Sequence, residues 1–76
     1  MRYDRVALKQ LRRIDQRYAR KIAAALAAYE NSGIGDVKKL KGREGYWIRI
    51  GDYRAIFEII EKEVVVLEIG SRGDIY

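Results

Sequence analysis

Apolar residues recur at helical steps through the first thirty positions and at alternate positions after Tyr46. In "DRVALKQLRRI", Asp4 to Ile14, the residues Leu8, Leu11 and Ile14 form one stripe, and Asp4 can cap the helix they predict. Asp15 can cap a second helix, "QRYARKIAAALAAYE", where Tyr18, Ile22, Ala25, Leu26 and Tyr29 return every three or four residues and alanine favours helix. The breakers of "NSGIG", Asn31 to Gly35, end it. Arg12, Arg13, Arg17, Arg20 and Lys21 fall mostly off the stripe, so the two segments predict an antiparallel helical hairpin with one apolar and one basic side.

Asp36 to Gly45, "DVKKLKGREG", reads as a basic connector, and the period then changes to two. In "YWIRI" Tyr46, Ile48 and Ile50 face one way, with Trp47 and Arg49 on the other. In "YRAIFEII" Tyr53, Ala55, Phe57 and Ile59 share a face, leaving Arg54, Ile56 and Glu58 opposite. Gly51-Asp52 between these runs signals a two-residue hairpin loop with glycine first. That register pairs Ile50 with Tyr53 and Arg49 with Arg54. A second turn near Glu61-Lys62-Glu63 leads into "VVVLEIG", completing a three-stranded antiparallel meander, to which Met1–Tyr3 can add a short strand. The helices need an apolar surface, and Tyr46, Ile48, Ile50, Ala55, Phe57 and Ile59 supply one. The predicted architecture is therefore α+β, a helical hairpin on one face of a small antiparallel sheet whose other face is open.

Residues 1–76 are short enough to predict one domain, near the lower size for a self-sufficient core. Without cysteine or histidine there is no disulfide framework, no zinc cluster and no Ser-His-Asp triad, and no cofactor or metal is expected. No run approaches the roughly 18 apolar residues of a membrane span, so a cytoplasmic protein is expected. The net charge is +5, unevenly spread: residues 1–30 carry eight basic and three acidic groups, 31–57 six and three, and 58–76 two and five. A positive surface over the first three-quarters of the chain suits nucleic acid or an acidic protein.

Like charges directly opposite on a sheet are destabilising, so the Arg49–Arg54 pair asks for an external reason. Guanidinium groups fit phosphate oxygens, and Trp47 beside them offers a platform for an unpaired base. "GSRGDIY" can deliver Arg72 and Tyr76 to the same side, giving a site suited to single-stranded RNA. Lys39, Lys41 and Arg43 of the connector are expected to add RNA contacts. Blander readings stand beside these. Arg49 and Arg54 can be solvated and neutralised by Glu58 or Asp74, and Trp47 can simply cover apolar surface. "GREG" lacks the lysine of a Walker-type phosphate loop.

"VKKLKG…YWIRIGDYRAIFEI…VVVLEIGSRGDIY" resembles, in order and spacing, the RelE/ParE superfamily of type II toxins, and "ALKQLRRID" fits that family's first helix. The resemblance implies the same α+β fold. On the favoured RelE side it implies a ribosome-dependent messenger-RNA endoribonuclease, an mRNA interferase that inhibits translation. Such toxins are blocked by a cognate antitoxin in a hetero-oligomer. The family's site would fall on Arg49, Arg54, Arg72 and Tyr76. Arg54 and Arg72 would neutralise the scissile phosphate, Arg49 would hold it, and Tyr76 would act as general base or acid. Trp47 stands where some RelE-type members carry a second basic residue, Ser71 where many have histidine or lysine, and Gly73 where many have arginine. ParE-type members share the fold, act on DNA gyrase and lack this set, and a non-catalytic RNA-binding module is a third reading.

Overall fold

The computed structural model describes residues 1–71. Asp4 and Asp15 cap helices α1 (Arg5–Arg13) and α2 (Gln16–Ser32), their carboxylates accepting from the N–H groups of Arg5 and Arg17. Helix α2 ends at Gly33, whose φ of +70° is the left-handed conformation that closes a helix C-terminus and that side chains resist. Five strands follow the order β1-β5-β4-β3-β2: β1 (Arg2–Tyr3), β2 (Val37–Lys39), β3 (Tyr46–Ile50), β4 (Tyr53–Ile60) and β5 (Glu63–Ser71). Neighbours are antiparallel except β1, which lies parallel to β5 with Arg2 beside Val65 and Tyr3 beside Val66.

The two helices cover one face of this sheet, as the apolar periodicity requires. Ala7, Ile22 and Leu26 from the helices meet Ile48, Ala55, Phe57, Val64, Val66 and Ile69 from the strands in a single core. Phe57 anchors it, with the ring of Tyr29 edge-on at 5.5 Å and that of Tyr46 stacked at 5.6 Å. Such pairs add about 0.5–1.5 kcal/mol beyond the area they bury. Three details depart from the sequence reading. The small Ala7, not Leu8, is the buried position of α1, and Leu8 is 37% exposed. Ile59 lies on the expected face but beyond the helices, and it is 45% exposed. The basic connector contributes the edge strand β2, paired through Val37–Ile48, Lys38–Trp47 and Lys39–Tyr46.

Side-chain bonds fasten the layers. Glu30 of α2 accepts from the Val64 N–H at 2.9 Å, and Gln10 of α1 accepts from the Ile69 N–H at 2.6 Å. Among the described residues no helix is long and apolar enough to cross a membrane.

Candidate functional site

The site begins with a turn. Gly51 takes φ +59°, which glycine adopts without penalty, and the two-residue loop it opens sets the pairing of β3 with β4. Arg49 consequently faces Arg54, and Trp47 faces Ile56, all on the side away from the helices. From β2, Lys38 pairs with Trp47 and joins the same face. On the β5 side Arg54 neighbours Gly70, which puts no side chain beside it.

This outer face is not bare, as the alternation alone suggested. Buried Leu40 and Ile56 form a second apolar cluster there, with Trp47 and Leu67 packed against it. A β-bulge supplies Leu67: Ile56 pairs with Glu68 and Phe57 with Val66, so β5 carries one extra residue and both Leu67 and Glu68 oppose Ile56. Trp47 is thereby half-buried and fixed, and it covers apolar surface.

The indole also carries cations. The Arg54 guanidinium carbon lies 4.6 Å from the ring centroid and Lys38 Nζ lies 5.9 Å from it. Contacts of this kind are worth about 0.5–2 kcal/mol, most where water is excluded. Water is excluded on one side of Arg54, because its Nε is buried and has no hydrogen-bond acceptor among the described residues. Arg49 is exposed. Among the described residues none of Lys38, Arg49 and Arg54 forms an ion pair, so Glu58 does not neutralise the arginines. Three cations and an indole thus share the half of the outer face nearer Gly51, a surface suited to anionic oxygens.

Of the residues expected from sequence, the fold brings together Trp47, Arg49 and Arg54. Lys39 pairs with Tyr46 on the helix-facing side, and it lines a cleft of about 290 Å³ that draws on residues of both faces: Glu44, Gly45, Tyr46, Glu58, Ile59 and Ile60. Exposed Lys41 and Arg43 belong to the β2–β3 loop at the Tyr46 end of the hairpin, away from the Gly51 turn. Arg72, Asp74 and Tyr76 lie outside the described residues. Lys38 is the residue sequence reasoning missed. Its signal is strand parity, legible only once Val37–Lys39 is known to be a strand. The exposed basic residues of the helices, Arg12, Arg13, Arg17, Arg20 and Lys21, form a separate surface.

A family model described as ParE toxin of type II toxin-antitoxin system, parDE, matches residues 1–76. No curated protein is significantly similar in sequence. Among solved structures, the archaeal RelE–RelB complex from Pyrococcus horikoshii matches with a TM-score of 0.79 at 24% identity, over 97% of this chain and 94% of that one. The isolated E. coli RelE toxin gives 0.77 at 24%, over 96% of this chain and 83% of that one. The RelB–RelE antitoxin–toxin complex from Methanococcus jannaschii gives 0.76 at 21%, over 93% and 90%. At these identities the likeness is one of fold.

Proposed function

The chain belongs to the ParE toxin family of type II toxin–antitoxin systems, and within that fold we propose that it is a translation-inhibiting toxin that cleaves messenger RNA on the ribosome and is held inactive by a cognate antitoxin. One observation carries the RNA reading: Arg49 and Arg54 are opposed on the outer sheet face, with no ion-pair partner among the described residues. Opposed unpaired guanidinium groups are unfavourable in the free protein and become favourable around a phosphate.

In this mechanism the RNA's own 2′-hydroxyl attacks the adjacent phosphorus. The bond from phosphorus to the 5′-oxygen breaks, leaving a 2′,3′-cyclic phosphate and a 5′-hydroxyl. The proton leaves the 2′-oxygen for a base and returns to the departing oxygen. Arg49 and Arg54 neutralise the charge that builds on the phosphoryl oxygens. Arg72 and Tyr76, outside the described residues, are proposed to complete the set, with the phenol exchanging the proton. The ribosome supplies the orientation of the message. Residues 1–76 act together as one toxin domain. A cognate antitoxin is supported by the neighbours crystallised as RelE–RelB complexes.

A second reading, a non-nuclease toxin acting on DNA gyrase, is favoured by one finding, the ParE description of the matching family. A translation extract decides. Under the first reading, messenger RNA cut at the A-site codon accumulates and Arg54→Ala abolishes the cuts. Intact message with inhibited supercoiling overturns that reading in favour of gyrase.

A further inference from the structure

We infer that Trp47 is a positioning residue for Arg54, and through it for a bound phosphate, rather than a platform on which a base stacks. This rests on the outer face being a phosphate site. Trp47 and Arg54 are diagonal neighbours, since Trp47 opposes Ile56 while Arg54 opposes Arg49. Direct pairing sets Arg54 against a like charge, whereas the diagonal contact with the indole is attractive; Glu68, diagonal to Arg54 on the β5 side, forms no ion pair with it among the described residues. The guanidinium accordingly lies 4.6 Å from the indole centroid. With Lys38 Nζ 5.9 Å from the same centroid, the indole already holds two cations where a base would have to stack.

Two further observations support a fixed Arg54. The indole rests on Leu40, Ile56 and Leu67, so it is a rigid backing rather than a mobile ring. The Arg54 Nε is buried without an acceptor among the described residues, although its neighbour Gly70 offers no side chain to block solvent. A guanidinium held in this way presents its remaining N–H groups in a fixed direction, which suits bidentate recognition of phosphate. An Arg54 free to rotate would satisfy Nε with water instead.

The test compares wild type with Trp47→Leu, which keeps apolar cover but has no π face, and Trp47→Phe, which keeps both. Circular dichroism checks that each is folded. First, NMR of the free protein reads the Arg54 Nε–H signal, expected upfield and slowly exchanging in wild type and Trp47→Phe but at its solvent position in Trp47→Leu. Second, anisotropy measures binding of a short single-stranded oligoribonucleotide and of a matched oligomer in which 1-deoxyribose replaces each nucleoside. Trp47→Leu and Arg54→Ala should each weaken both about tenfold, and Trp47→Phe should stay within about threefold of wild type.

Loss confined to the base-bearing oligomer would identify base stacking and overturn the inference. So would an Arg54 signal indifferent to Trp47→Leu, or a wild type that binds neither oligomer. Equal weakening of both oligomers with no cleavage on ribosomes would support the inference while removing the nuclease reading.

Discussion

Arg49 and Arg54 face each other directly across β3 and β4, and among the described residues no carboxylate pairs with either. Directly opposed like charges cost roughly 0.2–1 kcal/mol in an antiparallel pair. A fold that retains them gives up stability at the place where phosphate is proposed to bind.

Replacing one of them should therefore stabilise the protein. Arg49→Glu converts the repulsion into a cross-strand ion pair with Arg54, with an expected gain of about 0.5–1 kcal/mol and a melting temperature higher by about 2–8 °C. Added salt should raise the wild-type value more than the variant's, because it screens repulsion in one and attraction in the other. The same variant should lose toxicity. A melting temperature at or below wild type would mean that the pair carries no strain.

The β4–β5 turn offers a second gain. Glu61 and Lys62 both take positive φ, +51° and +68°, in the two-residue loop between the paired Ile60 and Glu63. Side chains resist this left-handed region by about 1–2 kcal/mol per residue, and Asn-Gly is the pair that two-residue loops of this shape prefer. Gly also raises the entropy of the unfolded chain, which offsets part of the gain. Glu61→Asn with Lys62→Gly should add about 1 kcal/mol in urea unfolding without touching toxicity, since the turn is at the opposite end of β4 from Arg54. A lower midpoint would show that the native side chains make compensating contacts.

The β3–β4 hairpin was fully legible in the sequence because two constraints coincide there. Side-chain alternation assigns the faces, and a glycine-led two-residue loop permits one register, so Arg49 had to meet Arg54. Ile22 and Leu26, the capping aspartates and the Gly33 stop were readable for similar local reasons. What escaped was non-local or too short. Strand β2 has three residues, two of them lysine, and offers no alternation to read, which hid Lys38. The run "VVVL" is apolar throughout and cannot announce that Leu67 is the extra residue of a bulge. The parallel pairing of β1 to β5 joins the two ends of the described chain, and nothing local encodes it. The stacking of Arg54 on Trp47 is a diagonal contact, which a face pattern allows but does not select.

Gln10 was equally unmarked, yet it completes the sheet. Strand β1 pairs with β5 only at Val65 and Val66, and the Ile69 N–H is taken by Gln10 Oε1 at 2.6 Å. Gln10→Leu leaves a part-buried N–H without its acceptor and should cost about 1–3 kcal/mol, whereas Gln10→Glu, which keeps an acceptor, should recover most of it. Hydrogen exchange at Ile69 reads the loss directly. If exchange there is unchanged in Gln10→Leu, the bond carries no weight.

Tyr3 should behave in the opposite sense. Its hydroxyl is buried and has no hydrogen-bond partner among the described residues, and burial pushes the phenol above its usual pKa. Removing an unsatisfied polar atom relieves its desolvation, so Tyr3→Phe should be stabilising by about 1 kcal/mol. A destabilised Tyr3→Phe would reveal an acceptor beyond the described residues.

The pH dependence of stability should be governed in part by Glu30. Its carboxylate accepts from the Val64 N–H at 2.9 Å and lies 2.9 Å from the α-amino group of Met1, which itself stands 3.4 Å from Glu63. The Val64 bond first, and the α-amino group second, hold the Glu30 pKa below its ordinary 4.5. A carboxyl lowered on folding stabilises above its unfolded pKa and loses that contribution as pH falls through the folded value. The α-amino group moves the other way, raised above 8.0 chiefly by its hydrogen bond to Glu30, so its contribution is complete below 8.0 and lost as pH climbs through the raised value. The two windows overlap between 4.5 and 8.0. Melting temperatures of wild type and Glu30→Gln should therefore differ most across that interval. The gap should close in acid, where protonated Glu30 resembles glutamine, and narrow in alkali, where the amino group is neutral. Both groups are close to solvent, so salt should shrink the gap as well. A gap of constant size from acid to alkali would mean that Glu30 acts through shape alone, with its charge contributing nothing.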